Sequence, residues 1–249
     1  MATWLCLHGF TGTPECFRPL RLPRGRDTFL TPVLTGHGSP PAAWETSFEA
    51  EVDRLARWLS EQQPPGPLYL LGYSLGARLG LGLLSSHPGR FEAAVLIGVN
   101  PGLRTAEERR ERKQHDREQH QLLLEHGLTA FVDQWERLPL FATQGTLAAE
   151  VLAEQRRLRL THTAEGLAHA LVALGLGDMP DYWGGLPRLD LPIAIVVGAA
   201  DAKFRQLGEA MLPLLPRARL ALAPRAGHNV VLESPAWLRE LMQRASEGA

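Results

Sequence analysis

LLGYSLGARLG, Leu70 to Gly80, joins an apolar run to a helical pattern through Gly72-Tyr73-Ser74-Leu75-Gly76. The run before it, PLYLLGY (Pro67 to Tyr73), shows no polar alternation, which suits a strand buried on both faces. The segment after it, LGARLGLGLLSSH (Leu75 to His87), carries leucines at helical spacing. Glycines on either side of one serine let backbones pass close together, and the strained strand-to-helix turn lifts the serine hydroxyl clear of the sheet. The plainer reading is a serine that caps the following helix. Either way, a strand feeding a helix through a glycine turn is the unit of a parallel α/β sheet.

The rest of the chain extends that unit. TWLCL (Thr3 to Leu7), AAVLIG (Ala93 to Gly98) and IAIVVG (Ile193 to Gly198) are further apolar runs, and ARLALA (Ala218 to Ala223) is a weaker one. Helical patterns FEAEVDRLARWLSEQ (Phe48 to Gln62) and SPAWLRELMQRASE (Ser234 to Glu247) alternate with them, as in a doubly wound sheet. The interval 101–188 breaks the alternation. It is rich in Arg, Glu, Gln and His and reads as helical throughout, so it is expected to be a helical cap inserted into a core of 1–100 and 189–249.

Composition closes off several classes of function. The 249 residues, 45% hydrophobic and 21% charged, suffice for one large domain with a sizeable core. With 26 Lys+Arg against 27 Asp+Glu the net charge is -1, so nothing asks for nucleic acid or an anionic membrane surface. Two cysteines are too few for a disulfide scaffold, and Cys6 in its apolar run reads as an inert buried thiol. The start MATWLCLHGF lacks a basic segment followed by a long apolar one, and no window has the run of about 18 apolar residues that spans a membrane. These features predict a cytoplasmic protein. No motif speaks to oligomeric state.

Partners for Ser74 follow it in the chain. Asp201 lies directly after IAIVVG in VVGAADAKF, and His228 lies in APRAGHNVVLESP after the weaker strand. Both positions are at carboxyl ends of strands, where open α/β sheets build their sites. The order nucleophile, acid, histidine is that of an α/β-hydrolase fold, in which the histidine takes the serine proton and the aspartate orients the ring. Asp201 could otherwise be a turn or helix-cap residue, and His228 a loop histidine. The first strand runs into LHGFTGT, where the amide of Phe10, with that of Leu75 behind the serine, is expected to form an oxyanion hole. His8, and His37 in LTGHGSP, read as structural. His115, His120 and His126 read as residues of a solvated cap helix, and no histidine spacing suggests a metal.

Arg78 sits four residues past Ser74, about 6 Å further along the helix and on nearly the same face. A cation in the first turn is opposed by the helix dipole, so it calls for a carboxylate, either of the protein or of a ligand, and the ligand is the favoured reading. The arginine runs RTAEERRERKQHDRE and EQRRLRL read by themselves as solvated faces with i,i+4 pairs.

LHGFTGT, GYSLGARLGL, DQWERLPLFATQ, GLAHALVALGLGDMPDYWGGL, GAADAKF and RAGHNVVLESP together resemble the MenH family, the 2-succinyl-6-hydroxy-2,4-cyclohexadiene-1-carboxylate synthases of menaquinone biosynthesis. The resemblance spans nearly the whole chain. The elbow and triad order are common to the superfamily, whereas the arginine four past the serine, Trp-x-x-x-Pro-x-Phe and Asp-x-Lys-Phe are narrower. The resemblance implies a lyase that abstracts a proton beside the succinyl ketone and expels pyruvate, with no metal or organic cofactor. It implies a small polycarboxylate substrate bound by Arg78, Arg112 and Arg159, with Tyr73 and Trp135 lining the pocket. Arg109 and Arg110 beside Arg112, and Arg156 and Arg157 beside Arg159, leave the register of those two contacts open. A carboxylesterase or thioesterase of the same fold is the competing reading, and its cap should be apolar rather than arginine-rich. A binding protein with a vestigial site is disfavoured by the complete triad, and a dehalogenase by serine in place of aspartate at the elbow.

Overall fold

The computed structural model describes residues 2–21 and 27–247. Among these residues six strands form one sheet: β1 (Thr3–Leu7), β2 (Thr28–Leu30), β3 (Leu68–Tyr73), β4 (Ala93–Ile97), β5 (Ile193–Gly198) and β6 (Ala218–Ala223). Their spatial order is β2-β1-β3-β4-β5-β6, and every neighbouring pair is parallel. The winding reverses between β1 and β3, which places a topological switch point at their carboxyl ends. β2 is the one strand absent from the sequence reading. Three residues, all half-buried on the sheet edge, are too short a run to rise above the loop around them.

Side-chain alternation along the strands divides two cores. Leu5, Leu7, Leu70 and Leu96 face one side, where they meet α1 (Phe48–Glu61) and α2 (Leu75–Ser86). Trp4, Cys6, Leu71 and Val95 face the other, where Leu238, Leu241 and Met242 of α8 (Pro235–Glu247) cover them. α1 starts at Ser47, whose hydroxyl accepts the Ala50 amide, and buries Phe48, Val52, Leu55, Ala56 and Leu59 as a single stripe.

Between β4 and β5 the chain is helical. α3 (Ala106–Glu136) opens on a Thr105–Glu108 capping box and breaks at Gly127, which has φ 79° and ψ 173°. A 3₁₀ stretch at Pro139–Thr146 leads to α4 (Ala149–Arg159) and α5 (Ala164–Ala173). Leu123, Phe131, Val132, Leu167, Ala168 and Leu171 form a small core of their own between α3 and α5. After β5 come α6 (Ala202–Met211) and, beyond β6, the single turn α7 (Val230–Glu233).

Candidate active site

Ser74 stands at the end of β3 with φ 53° and ψ -108°, a conformation that costs on the order of 1–3 kcal/mol and is held by its surroundings. Close packing behind it explains the glycine at 72: a Cβ there would lie 2.6 Å from the Ala77 Cα and the Gly76 oxygen. The serine makes no side-chain cap to α2. Its Oγ instead lies 3.0 Å from Nε2 of His228, and Nδ1 of that ring lies 2.8 Å from Oδ2 of Asp201.

Asp201 combines both readings of its position. Oδ1 caps α6 by accepting the Phe204 amide at 3.2 Å, which leaves Oδ2 aimed at the histidine. Both Asp201 and His228 are buried. The imidazole is confined further by the Phe204 ring, 4.3 Å away, and by Gly98, where φ is 58° and a Cβ would come within 2.6 Å of His228 Cε1.

Two amides border the serine. Neither Phe10 nor Leu75 commits its N–H to another group among the described residues. The turn that carries Phe10 is closed by the Gly12 amide donating to the Gly9 carbonyl at 2.9 Å. His8 sits beneath it and is wholly buried, and burial pulls its pKa down to about 4.

This geometry can move a proton and hold a developing oxyanion. The model for the alpha/beta hydrolase family matches residues 4–241. A 2-succinyl-6-hydroxy-2,4-cyclohexadiene-1-carboxylate synthase of Pectobacterium atrosepticum is 34% identical, over 95% of this chain and 91% of its own. The chain belongs to the alpha/beta hydrolase family, among its 2-succinyl-6-hydroxy-2,4-cyclohexadiene-1-carboxylate synthases. A Bacillus subtilis (strain 168) protein that bears the same name provisionally is 36% identical over 93% of this chain and 85% of its own. The solved structure of MenH from S. aureus superposes with a TM-score of 0.91 at 26% identity, covering 99% of this chain and 94% of that one.

The cavity in front of the hydrogen-bonded Ser74, His228 and Asp201 has a volume of about 510 Å³ and brings together Ser74, Leu75, Phe10, Tyr73, Arg78, Arg112, Trp135, Asp201 and His228. Arg78 is buried at 9% exposure. It donates from Nη1 to the Leu174 carbonyl at 2.9 Å and lies 3.8 Å from the Met179 sulfur, with no carboxylate partner among the described residues. Burial first and the neighbouring Arg112 second pull its pKa from 12.5 to about 9, against a small opposing pull from Asp116. It remains a cation at neutral pH.

The arginines of the helical interval between β4 and β5 divide differently from their sequence register. Arg112 reaches the cavity, but its Nε is held by Asp116 Oδ1 at 2.9 Å, an i,i+4 pair legible in ERKQHD. Arg109 donates to the Met179 carbonyl at 2.8 Å, and Arg110 lies outside, 3.6 Å from Glu107. Arg159 is buried, bonded to Glu136 Oε1 at 2.9 Å and stacked over Phe141, and it borders a neighbouring groove beside Tyr73 rather than the cavity of Ser74. Arg156 pairs with Asp133 and Glu136, and Arg157 with Glu154.

From the helical interval between β4 and β5 the cavity gains an apolar wall of Trp135, Leu138, Leu140, Phe141, Leu171, Leu174 and Leu176 beside the polar Arg112, His115, Asp116, Gln119 and Thr143. Arg110, Arg112, Arg156, Arg157 and Arg159 pair with carboxylates on their own or adjacent helices, and of these Arg112 alone borders the cavity. His115, read as solvated, also borders the cavity. Asn100, Gln119 and Lys203 are lining residues that went unread; only Lys203, inside Asp-x-Lys-Phe, had a sequence signal.

Proposed function

We propose that Ser74, His228 and Asp201 form the base of a carbon-oxygen lyase that eliminates pyruvate from 2-succinyl-5-enolpyruvyl-6-hydroxy-3-cyclohexene-1-carboxylate. His228 Nε2 accepts the Ser74 proton, and the serine oxygen takes the proton beside the succinyl ketone. Asp201 holds the other ring nitrogen and stabilises the imidazolium. The electron pair left on carbon moves into the carbonyl, whose oxygen the Phe10 and Leu75 amides receive. Return of that pair forms a double bond between ring carbons 2 and 3, moves the existing 3,4 double bond to carbons 4 and 5, and breaks the bond between ring carbon 5 and the enolpyruvyl oxygen. His228 returns its proton as pyruvate leaves.

The observation that carries this reading over ester hydrolysis is Arg78, a buried guanidinium beside the nucleophile with no carboxylate partner among the described residues. Such a charge is satisfied by a carboxylate of the substrate, which has three. Arg112, with its Nη groups beyond the Asp116 contact, is the second anion contact. Arg159, tied to Glu136 and bordering the neighbouring groove, would become the third only if the substrate reaches past Tyr73 and Phe141, which border both spaces. Tyr73 and Trp135 act as walls. Residues 101–188 serve as the cap that excludes water from the elimination. The anionic, water-soluble substrate and two free thiols support a cytoplasmic location.

Release of pyruvate from the enolpyruvyl precursor, followed with lactate dehydrogenase, tests the assignment. The apolar cap wall favours esterase activity as a second reading. Brisk p-nitrophenyl ester hydrolysis without pyruvate release would establish that reading instead.

A further inference from the structure

Three buried histidines outside the triad converge on the turn that carries the Phe10 amide. His8 and His37 have ring centroids 5.1 Å apart, and His37 and His162 5.4 Å. His8 directly follows β1 and His37 lies in the loop after β2, whereas His162 comes from the turn between α4 and α5. The first two bind the turn from the core and the third binds it from the helical insertion.

Their hydrogen bonds define each tautomer. His37 Nδ1 faces the Thr35 carbonyl at 2.9 Å and must donate, so its Nε2 carries the lone pair that accepts the Thr11 amide at 3.2 Å. His162 Nε2 faces the Thr11 carbonyl at 3.1 Å and must donate, which leaves a lone pair on Nδ1 that is buried without a partner among the described residues. His8 Nδ1 donates to the Gly9 carbonyl at 2.9 Å. All three rings are neutral, and burial pulls each pKa down.

The residue they grip is strained. Thr11 is buried at φ 63°, a left-handed conformation that costs a non-glycine residue free energy unless its surroundings hold it. His37 holds its N–H and His162 its C=O. The peptide before Phe10 is gripped through the Gly9 oxygen, which takes both the His8 ring and the Gly12 amide. In a trans peptide, C=O and N–H point in opposite directions, so anchoring the Gly9 oxygen aims the Phe10 N–H away from the core.

We propose that His162 is a positioning residue for the oxyanion hole. By donating to the Thr11 carbonyl from the helical insertion it completes the clamp on residues 9–12 and makes the aim of the Phe10 amide depend on the seating of that insertion. The proposal rests on Phe10 being an oxyanion donor, as in the function given above. His162 touches neither Ser74 nor the cavity that Ser74 opens into.

His162→Leu removes the donor, and His162→Asn restores an N–H of similar reach. One oxyanion donor is worth about 10²–10³ in rate, so a donor that is misaimed rather than lost predicts a fall of roughly tenfold in kcat for His162→Leu with KM within about twofold. His162→Asn should recover most of it. The companion measurement is phosphonylation of Ser74 by a small alkyl fluorophosphonate, followed by intact mass, which needs the hole but not the lyase substrate. It should slow by a similar factor in His162→Leu. Parent-like kcat and phosphonylation in a folded His162→Leu would overturn the clamp, as would an asparagine variant no better than the leucine. A parent that is phosphonylated but releases no pyruvate would sink the lyase reading and leave the clamp to be judged on phosphonylation alone. A parent that resists the fluorophosphonate would overturn the oxyanion hole and the clamp with it.

Discussion

Replacing Arg78 with methionine should move stability and activity in opposite directions. The guanidinium is 9% exposed, and its single strong hydrogen bond goes to the Leu174 carbonyl. A pKa of about 9 against the ordinary 12.5 corresponds to roughly 4–5 kcal/mol of unfavourable free energy for keeping the charge there, at about 1.4 kcal/mol per tenfold. Methionine removes that penalty and preserves much of the volume. It also orphans the Leu174 carbonyl, at a cost of about 1–3 kcal/mol. The balance is a free protein more stable by roughly 2 kcal/mol, or about 4–8 °C in Tm for a chain of this length. In the complex the sign reverses, because a substrate carboxylate loses its partner in a closed pocket. kcat/KM should fall by about 2–4 kcal/mol, a factor of roughly 30 to 1000. Differential scanning fluorimetry reads the first effect and coupled pyruvate release the second, with p-nitrophenyl acetate as a neutral control that should hardly change. An Arg78→Met protein that melts several degrees lower while releasing pyruvate at the parental rate would show that this arginine serves the fold and not the substrate.

Ser74→Ala, Asp201→Asn and His228→Ala should each lower turnover by several orders of magnitude without unfolding the chain, and double replacements should add little, since the three act as a unit; near-normal pyruvate release by Ser74→Ala would remove the serine from the mechanism. Gly98→Ala forces a methyl group into the His228 ring and strains a φ of 58°, so kcat should drop by about 10² or more while product affinity, read by titration calorimetry, changes little; unchanged kcat would mean that the ring has room to move. Acid should destabilise the protein through His8. Its folded pKa of about 4 lies below its unfolded 6.5, so stability is full above about pH 6.5, declines as the unfolded chain takes up the proton, and is down by roughly 3 kcal/mol once pH falls past 4. Urea midpoints at pH 7 and 4.5 should therefore converge more closely in His8→Asn than in the parent, and an equal drop in both would refute the assignment.

The strands and the elbow were legible because their causes are local. TWLCL and IAIVVG became the fully buried β1 and β5 with the bounds read from the chain, since an apolar run has few other ways to be buried, and the weaker ARLALA, broken by Arg219, became the half-exposed edge strand β6 with the bounds read as well. The meeting of Ser74, Asp201 and His228 was legible for a related reason: each lies within five residues of the carboxyl end of a strand, and parallel strands carry those ends to one edge of the sheet. β2 was not legible, because three half-buried residues carry no periodic signal. The arginines were legible as charges but not as contacts. Sequence spacing finds the Arg112–Asp116 pair, one helical turn apart, yet it cannot see that Glu136 reaches Arg159 across 23 positions or that Arg78 meets a carbonyl and a sulfur from residues about 100 positions away and no carboxylate among the described residues. The same holds for Thr11, whose clamp joins residues 26 and 151 positions distant. Whether a buried charge or amide is satisfied depends on what folding brings within about 3 Å, and that is set by how separate elements pack rather than by the periodicity within any one of them.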